Sequence, residues 1–171
     1  MAFLRPRSAV LAAALVGAVG LAGSAGPALA DATPWATINV CDTPHHPNAL
    51  GVRASMPGNG THQRMYMRFV VQYLDARRWE FVDLGGALRS RWILAGSARF
   101  RRREAGYTFR LNPPPDGRSY VLRARAELQW RRRRGRRFVV VRRARAITEA
   151  DRATAAGADP PGFSAATCQL R

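Results

Sequence analysis

The sequence predicts an all-β fold, an antiparallel two-sheet sandwich with one terminal disulfide. Three observations carry this. Runs of strand length show apolar residues at every second position. Turn signals separate them at intervals of about ten residues, the spacing expected of a sandwich. Two cysteines, Cys41 and Cys168, stand near opposite ends of the chain that remains after the leader.

The leader comes first. Met1 to Arg7 carries two arginines, Ala9 to Ala22 is an apolar run, and Ala28-Leu29-Ala30 is a small-residue cleavage site. That order is a secretory signal peptide over residues 1–30. A membrane anchor is the competing reading, but the run is short and punctuated by glycine. The expected organisation is a signal peptide at 1–30, a β-sandwich domain at 31–148 and a C-terminal tail at 149–171 packed back through Cys168. In an exported chain the cysteines are read as paired. Two free thiols or an intermolecular bridge are the alternatives.

Strands follow in order. Ala36, Ile38 and Val40 alternate with Thr37 and Asn39, and Leu50, Val52, Ala54 and Met56 alternate with Gly51, Arg53 and Ser55. Pro57-Gly58-Asn59-Gly60 is a turn. Met65, Met67, Phe69, Val71 and Tyr73 share one parity, and Asp75-Ala76-Arg77 turns the chain into Trp79–Val82. Arg91–Ile93 and Ala98–Arg102 are weaker strands, and Tyr107, Phe109 and Leu111 form another. The proline run 112–117 excludes a sheet interior. From Tyr120 to Trp130 six apolar residues occupy one parity, a period of two that a helix would waste. Arg131 to Arg137 is the turn region. The return strand has ambiguous parity. A β-bulge at Arg142-Arg143 would let Val139 and Val141 share the inward face with Ala144 and Ala146. Glu149 to Ala156 reads as one or two helical turns capped by Thr148. Ser164 to Leu170 returns as an extended tail. Trp130 and Trp79 are read as core, Tyr66 lies on the outward parity with Arg68, and Trp92 is unassigned.

Leu111, the proline-rich turn and Tyr120 resemble the E–F corner of fibronectin type III domains. There a leucine, a proline turn and a tyrosine precede strand F, and the tyrosine hydroxyl ties back to the turn. The resemblance covers about Tyr107 to Ile147, with a longer stretch between Leu111 and Tyr120 than that family uses. It implies an immunoglobulin-like or fibronectin type III-like sandwich, with Tyr120 as the corner tyrosine; a fold carries no activity by itself. The whole chain is similar to small uncharacterised secreted actinobacterial proteins, in its Arg/Ala-rich composition and its DPPGFSAATC tail.

The formal charge is +17, and all 28 basic residues are arginine. Loss of Arg5 and Arg7 with the leader lowers it by two. High-GC coding is a competing reading of the arginine excess, and the absence of lysine fits it. It leaves a local concentration to be read: Arg131, Arg132, Arg133, Arg134, Arg136 and Arg137 occupy one hairpin tip. Guanidinium groups bind phosphate, sulfate and carboxylate bidentately, and Trp130 and Phe138 beside the tip can add stacking. Arg99, Arg101, Arg102 and Arg103 form a second run, and Arg142, Arg143 and Arg145 a third. The expected partner is an anionic cell-envelope polymer or lipid surface, with nucleic acid the weaker candidate. A solvated charge run is the competing reading.

Catalytic signatures are weak. There is no G-x-S-x-G and no phosphate-cradling glycine loop. Pairs such as Glu104 with Asp116 are not singled out by any pattern. His45, His46 and His62 lack metal-ligand spacing and read as surface loop residues, so no cofactor or metal is expected. Asn59-Gly60-Thr61 matches a glycosylation sequon but is more simply a turn. The reading is therefore a secreted, non-enzymatic binding or structural module. A small secreted hydrolase and a membrane-active cationic protein are the alternatives.

Overall fold

The computed structural model describes residues 33–115, 117–152 and 155–171. The leader at 1–30 lies outside them. Nine strands run in chain order: β1 Trp35–Thr43, β2 His46–Pro57, β3 Arg64–Asp75, β4 Glu80–Asp83, β5 Ile93–Ser97, β6 Arg102–Arg110, β7 Tyr120–Arg134, β8 Arg137–Ile147 and β9 Cys168–Leu170. A single 3₁₀ turn, Gly86–Leu88, interrupts the segment between β4 and β5. The chain is all-β among the described residues.

Every named strand pairing is antiparallel. Sheet one is β1-β2-β6. Sheet two is built on β3 and β7, which pair from Arg64↔Arg131 to Tyr73↔Leu122. Each of these long strands has two partners on its other edge. β3 takes β5 along Arg64–Met67 and β4 along Gln72–Asp75. β7 takes β9 along Tyr120–Leu122 and β8 along Arg125–Arg134.

The core is the set of inward parities. Leu50, Val52, Ala54 and Met56 of β2 face Met65, Met67, Phe69 and Val71 of β3 and Leu122 to Trp130 of β7, all essentially without solvent contact. β7 keeps strict alternation from Leu122 to Trp130. Trp130 is the largest fully buried side chain, and its Nε1–H donates to the Pro57 carbonyl at 3.1 Å. Burying an indole requires such an acceptor.

β1 departs from simple alternation. Ile38 pairs with Val52 but Val40 pairs with Gly51, so Asn39 is a bulge residue. An extra residue reverses the parity that follows. Val40 therefore shares the outer side with Gly51, whose added Cβ would lie 2.7 Å from the Val40 Cβ; only glycine fits there. Cys41 is turned inward opposite Leu50 and bonds Cys168, whose strand pairs with Leu122 of sheet two. Without the bulge Cys41 would share the parity of Thr37.

Both sides of β1 are covered, which is why Thr37 and Asn39 are buried as well as Ala36 and Ile38. Ile38 and Ala165 exchange two backbone hydrogen bonds of 3.0 Å, and Asp159 N–H donates to the Asn39 carbonyl at 2.8 Å. The bulged Asn39 donates its amide to Ala156 O and Gly157 O at 3.0 and 2.9 Å. The C-terminal segment thus satisfies an edge that would otherwise be open to pairing.

Several expectations are corrected. No helix forms over the described residues of 149–156. Thr148 is not a cap: its N–H donates to Ala124 O, and its hydroxyl donates to Ala166 O at 2.6 Å and accepts from Ala124 N–H. The strand after the 3₁₀ turn is Ile93–Ser97, between the two weak strands expected there. Ala98 instead anchors a turn, its carbonyl accepting from the N–H groups of Asn59 and Gly60. Trp79 is not core; it is 79% exposed in a turn at positive φ. The β8 bulge falls at Val141, one residue before the expected pair, because Trp130 pairs with Arg142 and Arg131 with Val140. Val139 keeps the inward parity and is half-buried, whereas Val141 is exposed.

Candidate functional site: an arginine pole

β7 outruns its neighbour. The last β3 pairing is Arg64↔Arg131, and beyond it β7 and β8 pair only with each other, through Arg132↔Val139, Arg133↔Phe138 and Arg134↔Arg137. Three residues at strand rise give an overhang of about 10 Å. Gly135, at φ 56°, opens the two-residue turn, the position that a II′ turn reserves for glycine. Arg132 to Phe138 are all exposed. Of the six sequence-predicted residues, Arg132, Arg133, Arg134, Arg136 and Arg137 therefore form a two-stranded ribbon with guanidinium groups on both faces, while Arg131 stands at its root, half-buried and still paired with Arg64 of β3.

The fold brings the second run to the same end. Arg64 pairs both with Arg131 and with Ser97, the last residue of β5. The turn from β5 into β6 carries Arg99, Phe100 and Arg101. It is clamped to the Pro57–Gln63 loop by Gly58 N–H to Arg101 O, 2.9 Å, and Ala98 N–H to Gln63 O, 2.8 Å. That same loop receives the Trp130 indole. Arg142 roots the overhang, with its guanidinium carbon 4.6 Å from the Trp130 ring centroid. Arg143 and Arg145 continue along the outer face, opposite Gln129 and Glu127.

Carboxylates near this pole are already engaged. Between Glu127 and Glu149 the chain has nine arginines and no acid. Glu127 Oε2 accepts from Arg68 Nε and Nη2 at 2.8 and 2.5 Å, and its other oxygen meets Arg125 at 3.3 Å. Glu104, the first acid along β6, sits 3.4 Å from Arg53. Among the described residues, the hairpin arginines Arg132, Arg134, Arg136 and Arg137 meet no carboxylate.

Away from the pole, the outer face of sheet two is a closed polar lattice. Arg125 holds both oxygens of Asp83, at 3.0 and 2.6 Å. Gln72 donates to Asp83 at 2.7 Å and accepts from Arg123 at 2.8 Å. Burial opposes the Asp83 charge, but the hydrogen bonds from Gln72 and Arg125 outweigh it and hold the carboxyl below its ordinary value of 3.8. Arg68 lies 4.5 Å from the Trp92 centroid, and Arg131 lies 4.1 Å from Tyr66 and 5.0 Å from Trp92. These aromatics orient arginines. A shallow depression of about 280 Å³ beside them is lined by Trp92, Gln129, Arg143 and Arg145 among others.

The remaining candidates are scattered. His45 Nδ1 is 3.5 Å from Asp159, whose carboxyl is held below its ordinary value, first by the Thr43 hydroxyl. Among the described residues no group of three or more His, Cys, Asp or Glu side chains is placed to hold a metal. Tyr120 is 38% exposed and lines an apolar cleft with Tyr73, Leu84, Leu88 and Leu111. Its hydroxyl makes no hydrogen bond among the described residues. Also among them, no helix is long and apolar enough to cross a membrane. The disulfide points to a non-cytoplasmic environment. Sequence reasoning missed the convergence of the arginine runs, since it depends on which strand ends meet. Comparisons with protein-family models, curated proteins and solved structures find no match.

Proposed function

We propose that the chain is a secreted, non-enzymatic module that docks on extracellular polyanions through the arginine pole. One observation carries the reading: an overhanging two-stranded ribbon concentrates cations where no carboxylate among the described residues compensates them. Such a surface holds a condensed layer of counterions, and a polyanion that displaces them gains their release entropy. Guanidinium forks suit phosphate, sulfate and carboxylate alike. The immunoglobulin-like scaffold of this reading serves to hold the ribbon out.

The test is retention on immobilised heparin as a function of salt. The native chain is retained at low salt, and retention falls steeply as salt rises. Replacing the six tip arginines by glutamine shallows that dependence and moves elution to markedly lower salt. Equal elution of the two proteins refutes the docking role of the ribbon.

A further inference from the structure

Two exposed aromatic rings stand within the arginine pole. Phe100 is at the turn between β5 and β6, flanked in sequence by Arg99 and Arg101, and is 52% exposed. Phe138 is on the ribbon opposite Arg133 and is 37% exposed. Each ring has a guanidinium over it: Arg103 lies 3.8 Å from the Phe100 centroid and Arg64 lies 4.4 Å from that of Phe138. Val141, the β8 bulge residue, adds exposed apolar surface near the ribbon's root.

We propose that the arginine pole docks on an anionic phospholipid surface, with Phe100 and Phe138 entering the headgroup layer. This rests on the anion-binding reading above and names the partner. A soluble polyanion needs only the guanidinium groups and leaves both rings in water. A bilayer presents phosphates and an apolar boundary within one side-chain length, so ring and guanidinium are satisfied together. Placement separates this from base stacking. A stacking platform needs rings a base step apart on one surface, whereas Phe138 belongs to sheet two and Phe100 to the turn leading into sheet one. One ring on the β7–β8 hairpin and one on the β5–β6 turn, at the same end of the fold, suit a flat surface. The surrounding arginines are drawn to anionic lipid at short range.

The experiment uses the exported, disulfide-closed chain and co-sedimentation with two kinds of vesicle, phosphatidylcholine alone and phosphatidylcholine mixed with phosphatidylglycerol. Heparin retention and binding to a single-stranded oligonucleotide are measured alongside. The native chain binds the anionic vesicles and not the neutral ones. The Phe100→Ser, Phe138→Ser double variant loses at least about tenfold in vesicle affinity, since each ring forfeits apolar burial, while heparin retention is unchanged. Both rings are exposed, so the variant folds; native disulfide mass and near-ultraviolet dichroism verify it. Three results overturn the proposal. The native chain is retained on heparin yet ignores anionic vesicles. The double variant binds vesicles as tightly as the native chain. The double variant loses the oligonucleotide and keeps the vesicles, which assigns the rings to bases. Loss of heparin retention by the native chain would instead overturn the broader anion-binding reading.

Discussion

Replacing Cys41 and Cys168 together by serine tests how the tail is held. The bridge spans 127 residues of sequence with Cα atoms 5.5 Å apart. In the chain-entropy model a loop of that length constrains the unfolded chain by about 5 kcal/mol. Cys168 is fully buried against the core, so a hydroxyl there adds about 1 kcal/mol more. The sum is comparable to the whole stability of a small domain, about 5–15 kcal/mol. Urea unfolding of the native and double-serine proteins measures it. The midpoint falls sharply and the slope rises, because the unbridged unfolded chain exposes more surface. The melting temperature drops by about 15 °C. Native protein in reductant should behave alike, which separates loop closure from the effect of serine. A loss under about 1 kcal/mol with unchanged slope would refute the reasoning. It would assign the tail's attachment to the Asn39, Thr148 and Ala165 hydrogen bonds alone.

Other perturbations probe single contacts. Trp130→Phe leaves the buried Pro57 carbonyl without its donor and opens space beside Met65, costing about 2–3 kcal/mol by urea midpoint; a cost under about 0.5 would contradict the indole's anchoring role. Asp83 is more acidic folded than its ordinary 3.8, so its stabilisation is complete above that value and is lost as pH falls through the lower folded one. Asp83→Asn should flatten the acid limb of the stability curve below about pH 4, and parallel curves there would sink the assignment. Arg68→Lys and Arg125→Lys should each lose about 1 kcal/mol, because an ammonium cannot reproduce the forked contacts with Glu127 and Asp83; unchanged midpoints would show that charge alone suffices. Lysine at all six tip positions should preserve the salt slope on heparin, which counts charges, and a collapsed slope would show that guanidinium geometry is indispensable there.

The alternation was legible wherever one strand face meets the core and the other meets water. β7 from Leu122 to Trp130 is the clearest case, since Arg123, Arg125 and Glu127 mark the outer face without ambiguity. It was least legible in β1. There the tail buries the outer face as well, so Thr37 and Asn39 look like solvent positions and are not. The Asn39 bulge leaves no trace in the pattern, because valine and cysteine suit either side. Trp79 was misread because a large apolar residue usually implies burial, whereas here a turn at positive φ sets its place. At the candidate site the hairpin tip was readable from a single stretch. Its union with the Arg99–Arg103 turn was not, because the two stretches meet only through the register of β3 with β5 and β7.

Coding bias and placement answer different questions about the arginines. A bias that substitutes arginine for lysine changes which cation stands at a position and leaves the map of positive charge unaltered. Such a bias would account for the absence of lysine. It does not account for nine cations between Glu127 and Glu149 with no acid among them. On the outer face of sheet two the same residue type is interleaved with Asp83, Glu127, Tyr66 and Trp92, and its charge is spent on internal partners. At the overhang Arg132, Arg134, Arg136 and Arg137 have no carboxylate or ring partner among the described residues. Mutual repulsion there opposes folding, and the fold carries that load on a ribbon that adds little to the core. A solvated hairpin needs one or two charges to stay soluble. Six in seven residues exceed that need, and the four without such a partner make sense when the compensating negative charge comes from outside the chain.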